Sequence, residues 1–122
     1  MKTTIVFLMM LAFNFQFDQK DENTIEGVWF AKELENSTIE ITKNNKNIWI
    51  GKIIESDNKS IINKIIFNNL KSDNEAKWIG KLTNPIKEIE VDAKLNLVNP
   101  NKLKIVGKKF FFTKTFYWFR KK

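Results

Sequence analysis

The sequence predicts an all-β protein, a small antiparallel sheet of about eight short strands closed as a barrel or folded as a sandwich. Three observations predict it. Short runs rich in β-branched and aromatic residues recur along the chain, separated by turn residues. Glu88 to Val98 alternates cleanly: Ile89, Val91, Ala93, Leu95 and Leu97 face one way, and Glu88, Glu90, Asp92, Lys94 and Asn96 the other. That is the pattern of a half-buried antiparallel strand. Third, all four glycines (Gly27, Gly51, Gly80 and Gly107) lie in or beside strand patterns, where glycine marks a bulge or a bend at a barrel corner. Closing the sheet would also remove its exposed edges. A chain of 122 residues suits one domain with one core.

The elements follow in order. Ile25 to Lys32 opens the β-rich part. Ser37 to Lys43 alternates, with Ile39 and Ile41 on one face and Thr38, Glu40 and Thr42 on the other. Asn44-Asn45-Lys46-Asn47 forms a hairpin turn, because asparagine tolerates positive φ. Asn47 to Glu55 and Ala76 to Thr83 are further strands, and Asn84-Pro85 turns the second. After Glu88 to Val98, Asn99-Pro100-Asn101 turns the chain into Lys102 to Val106. The segment 60–71 fits two readings: Ile61, Ile62, Ile65, Ile66 and Leu70 recur at helical spacing, with Asp57, Asn58 or Ser60 as a cap, yet isoleucines also suit a strand. Trp-Ile-Gly-Lys occurs twice, at 49–52 and 78–81, as two similar strand bends.

Phe110 to Arg120 is the last strand. Seven of the ten residues from Phe110 to Phe119 are aromatic, so both faces of this strand are apolar. One face fills a core; the other needs a cover or remains a patch. Lys108-Lys109 and Arg120-Lys121-Lys122 flank it, and basic ends around an aromatic centre also suit a membrane interface. A core strand with its charges at the two rims is the favoured reading.

The chain contains no cysteine and no histidine. This excludes disulfides, thiolate nucleophiles, imidazole bases and the usual transition-metal sites. No metal site, cofactor or catalytic residue is assigned. Glu88, Glu90 and Asp92 share a face, but it is the polar face, which normally meets water. The net charge of +7 comes mostly from lysine and reads first as a solvated surface, second as attraction to an anionic envelope surface. Nucleic acid is not an expected partner, since no binding motif is present.

Met1-Lys2 followed by an apolar run from Ile5 to Phe13 has the form of a secretory signal peptide, too short to span a bilayer as a helix. The expected organisation is a signal peptide at 1–17, cleaved between Ala12 and Asp18, a polar segment at 18–24, and a single β-barrel domain at 25–122. The expected location is periplasmic or secreted, with membrane contact only during export.

An ordered set of residues resembles a known family. Gly27-x-Trp29 is followed by Ile39-Glu40-Ile41, Gly51-Lys52-Ile53, Ile65-Ile66-Phe67-Asn68-Asn69-Leu70, Trp78-x-Gly80, Pro85, Leu95-x-Leu97, Asn101-x-Leu103-x-Ile105-x-Gly107 and Trp118-x-Arg120. From about Ile25 to Arg120 the chain resembles the small exported bacterial family known as domain of unknown function family 2147. Between Trp78 and Leu95 it departs from the family pattern, lacking a second glycine, an acidic residue before the proline and a Gly-Lys-x-Tyr turn. The resemblance implies a lipocalin-like (calycin-like) barrel of uncharacterised role, and it favours a strand over a helix for segment 60–71. In such barrels a tryptophan of an early Gly-x-Trp packs against an arginine of the last strand; here these are Gly27, Trp29 and Arg120, a stacking contact that closes one end.

Two functions are then expected. The first is binding of a small apolar ligand inside the barrel, lined by Trp49, Ile53, Trp78, Leu95 and Phe112. The second is a cell-envelope interaction or structural role using the basic and aromatic surface. An enzyme is not expected, and nothing in the sequence sets an oligomeric state.

Overall fold

The computed structural model describes residues 24–121. The expected signal peptide, and the polar segment apart from Thr24, lie outside the described residues. The described residues form strands β1 (Gly27–Ala31), β2 (Ser37–Lys43), β3 (Trp49–Glu55), β4 (Ile65–Asn74), β5 (Lys77–Thr83), β6 (Glu90–Asn99), β7 (Lys102–Lys109) and β8 (Phe112–Arg120). Each strand pairs antiparallel with the next, and β8 returns to β1 to close the barrel. The barrel-or-sandwich alternative is thereby decided. The closing seam is short, with Trp29 opposite Arg120 and Phe30 opposite Phe119.

Alternation sets the inside. Ile39 and Ile41 of β2, Trp49 and Ile53 of β3, Trp78 of β5, Ala93, Leu95 and Leu97 of β6, and Leu103 and Ile105 of β7 are all buried. Their neighbours Glu40, Lys52, Lys94 and Asp92 point to water. The β3–β4 register shifts around Gly51, so Ile66 and Phe67 are consecutive yet both buried, as a bulge allows. Phe67 lies over Gly51: a Cβ there would stand 2.5 Å from the ring. The strand therefore needs glycine at this point to let the aromatic ring in.

The turns follow the side chains that cap them. Asn44 Oδ1 accepts from the Lys46 and Ile48 amides, and Asn47 sits at φ 61. Asn84 Oδ1 accepts from the Ile86 and Lys87 amides.

Segment 60–71 divides. Asn58 caps one 3-10 turn, Lys59–Ile61, and β4 starts at Ile65. The helical spacing stops there because the backbone finds better partners. The Asn63 amide donates to Ile53 O at 2.7 Å and the Ile53 amide to Lys64 O at 2.9 Å. Asn63 adopts φ 77, which ends any helix.

The last strand differs from expectation. Phe110 and Phe111 form the turn between β7 and β8, with Phe110 at φ 56. Inside β8 the alternation is regular: Trp118 is buried and Phe116 packs against the core, while Tyr117 and Phe119 face out. Lys102 crosses that outer face, its Nζ 4.8 Å from the Tyr117 ring centroid and 5.8 Å from that of Phe119. The expected cover for the second face is thus partly a lysine stem and cation.

Candidate functional site

The barrel has two different ends. One end gathers the start of β1, the β2–β3, β4–β5 and β6–β7 hairpins and the end of β8. There Arg120 reaches three backbone carbonyls: Nη1 donates to Glu26 O, Nη2 to Thr24 O and Nε to Pro100 O, each at 2.8 Å. Its guanidinium lies 4.3 Å from the Trp29 ring centroid. Trp29 donates from Nε1 to Ile25 O at 2.8 Å, and Ile25 is fully buried. So the segment before β1 is drawn across this end and held by one planar cation on one ring. Gly27 sits beneath at φ 132, where a Cβ would lie 2.6 Å from Arg120 Nη1. The structure brings Gly27, Trp29 and Arg120 together in one contact.

Of the five expected lining residues, Trp49, Ile53, Trp78 and Leu95 are buried and inward. Trp49 and Trp78 meet edge to face, centroids 5.9 Å apart at 73°. Phe112 does not join them. It is 78% exposed, opposite Lys109 at the head of the β7–β8 hairpin. The expectation that it lines the interior is corrected: of the three consecutive phenylalanines, Phe110 and Phe111 make the turn, and Phe112 begins β8 at the exposed rim.

The opposite end carries a surface that sequence reasoning missed as a unit. Phe110, Phe111 and Phe112 are 80%, 97% and 78% exposed. Ile86 and Ile89, in the turn from β5 to β6, and Ile65, at the start of β4, are exposed at the same end. Lys64 Nζ donates to Pro85 O at 3.0 Å, which ties the head of β4 to that turn. Lys109 Nζ donates to Glu90 O at 3.1 Å, which ties the phenylalanine hairpin to β6. Lys87, Lys108 and Lys114 stand around these loops and are exposed. The available signal was Lys108-Lys109-Phe110-Phe111-Phe112, where three bulky residues in a row cannot alternate between core and water.

Two of the three acidic residues of one sequence face, Glu88 and Asp92, are each paired with a different lysine. Glu88 is in the turn at φ 57, with Lys64 Nζ 3.5 Å from its carboxylate. Asp92 is bound to Lys81 at 2.7 Å on the outer wall. The hydrogen bond from Lys81, then its charge, holds the Asp92 carboxyl below its ordinary value, and the same pair raises the Lys81 ammonium.

Comparison with known proteins gives one match. No curated protein and no solved structure matches the chain. The family model of an uncharacterized protein conserved in bacteria, DUF2147, matches residues 27–120, from the glycine under Arg120 to Arg120 itself. The whole closed barrel, from β1 to β8, lies within that span, and the chain belongs to the bacterial family DUF2147.

Proposed function

We propose that this is an exported, lipocalin-like barrel that docks on an anionic membrane surface through its phenylalanine-tipped hairpin and the lysines beside it. The lipocalin-like reading is supported by the next-neighbour strand order and by the arginine-on-tryptophan closure over the segment before β1. The single observation that carries the docking reading is the β7–β8 turn. A turn position at φ 56 favours glycine or asparagine, yet Phe110 occupies it with 80% of its surface in water. Phenylalanine there opposes both the backbone preference and the hydrophobic effect, and a local rule broken without a folding gain points to function.

The rest of that end fits the same partner. Ile86 and Ile89 extend the apolar tip; Lys87, Lys108, Lys109 and Lys114 lie beside it, while Glu33, Glu35, Asp57, Glu88 and Glu90 occupy other positions of the same end, so the basic side is the one with the phenylalanines. Apolar tips entering the headgroup region with lysines beside them suit anionic lipid, each lysine near the surface contributing about 1 kcal/mol. Membrane contact then continues beyond export. An apolar ligand inside the barrel has less support, because Trp29, Trp49, Trp78, Trp118 and Phe67 already occupy the interior.

The test is co-sedimentation of the purified protein with phosphatidylglycerol-containing vesicles and with pure phosphatidylcholine vesicles. Binding is expected to the first only, weakening as salt rises. Phe110→Asn combined with Phe111→Gly should abolish binding while leaving thermal stability equal or higher. Equal binding by that variant, or no binding by the parent protein, refutes the proposal.

A further inference from the structure

Trp49 and Trp78 lie at the end of the barrel opposite the phenylalanine tip, where β3 and β5 begin. Their rings are in contact and only 8% and 3% exposed. Neither indole Nε1 has a hydrogen-bond partner among the described residues, although both atoms are buried. Trp29, in the same core, does answer its N–H with Ile25 O at 2.8 Å. Buried donors without acceptors are uncommon and costly, and two on touching rings are less common still.

The register shows what surrounds them. Residues directly opposite in an antiparallel pair share a face. Lys43 is opposite Trp49 and Ser72 is opposite Trp78, so both lie on the inward side, yet both are exposed. They stand above the two rings at the same end as the Arg120 closure, on the β2–β3 and β4–β5 side, with Lys43 Nζ 5.7 Å from the Trp49 ring centroid. This end thus holds two buried indole donors beneath an exposed ammonium and an exposed hydroxyl. Asp73 and Glu75, on the β4–β5 hairpin, are exposed, and solvent screens their charge.

We propose that this side of the closed end binds the carboxylate of a small organic acid, which enters between Lys43 and Ser72 to reach the Trp49 and Trp78 indoles as donors, with Lys43 as the counter-charge. A carboxylate is the acceptor that answers donors and cation together. The site is at the other end from the docking surface and does not rest on that reading.

Hexanoate is the probe, with hexanamide as the neutral comparison, added to the purified protein labelled with 15N. Saturable shifts are expected in the indole N–H signals of Trp49 and Trp78, while that of Trp29 stays in place because its donor is already engaged. Trp49→Phe and Trp78→Phe keep an aromatic ring, and each should weaken hexanoate at least about ten-fold, as loss of a hydrogen bond to a charged group does. Lys43→Ser should weaken hexanoate and leave hexanamide unchanged. Absence of saturable shifts, full affinity in the phenylalanine variants, or equal affinity for the amide overturns the assignment.

Discussion

Replacing Arg120 with lysine tests the closure of the barrel most sharply. The change keeps the charge and removes the planar fork. In the native protein the fork serves three carbonyls at 2.8 Å and stacks 4.3 Å from the centre of the Trp29 ring. Hydrogen bonds to a charged group contribute about 1.5–3 kcal/mol each when sheltered, and less when exposed. The bonds to Glu26 and Thr24 are partly buried, whereas the bond to Pro100 is exposed. The stack adds about 1 kcal/mol. Contributions around one group do not add fully, so complete loss in Arg120→Ala should cost about 3–5 kcal/mol. A lysine can reach one carbonyl and retain some contact with the ring, so Arg120→Lys should cost about 2–3 kcal/mol. Against a usual total of about 5–15 kcal/mol, either change is large.

Urea denaturation followed by far-ultraviolet circular dichroism reads this as a shift in midpoint. Gly27 supplies a second reading. A Cβ at Gly27 would stand 2.6 Å from Arg120 Nη1, so Gly27→Ala must displace the guanidinium as well as strain the backbone at φ 132. In the Arg120→Ala background the displacement vanishes and only the backbone strain remains. The double-mutant cycle should therefore give a coupling of at least about 0.5 kcal/mol. If Arg120→Lys stayed within about 0.5 kcal/mol of the parent protein, or the coupling were zero, the closure would not be an arginine-specific device.

Two further outcomes are expected. Gly51→Ala places a methyl 2.5 Å from the Phe67 ring and should lower stability by about 1–3 kcal/mol, part of which Phe67→Leu should restore in the same urea assay. In the Asp92–Lys81 pair, the lowered Asp92 value means that its contribution is present above the ordinary carboxylate value of 3.8 and is lost as pH falls through the depressed one. The raised Lys81 value means that its share is present below the ordinary 10.5 and is lost as pH rises through the elevated one. Lys81→Ala should return the Asp92 titration, followed by carboxyl 13C shifts, toward 3.8, with little change in melting temperature because both side chains are in water; an unmoved titration would show that Lys81 is not the cause.

Much of the barrel could be read from local pattern. Period-two alternation in Ser37 to Lys43 and Glu88 to Val98 assigned inward and outward faces that the sheet keeps for Ile39, Ile41, Ala93, Leu95 and Leu97. Asn44 and Asn84 marked turns because their short side chains bond to nearby amides whatever the rest of the chain does. Ile89 falls in phase with the inward residues but is exposed, since β6 begins only at Glu90. These are interactions within a few residues, and a sequence carries them directly.

The two ends of the barrel depend on residues distant in sequence. Arg120 meets Glu26 and Thr24 across separations of 94 and 96 positions, a meeting that only closure of the sheet creates. Ile65, Ile86, Ile89 and Phe110 to Phe112 look like unrelated core residues along the chain, and become one exposed end when three connections fold to the same side. Segment 60–71 became one 3-10 turn and a strand because Ile53 offered its backbone groups to Asn63 and Lys64. The sequence by itself determined which residues alternate, where the chain turns and which chemistries its composition lacks. The tertiary structure alone decided which turns share an end, that Phe112 faces water, and that two tryptophans touch with N–H groups that no described residue answers, because each of these depends on which distant strands become neighbours when the barrel closes.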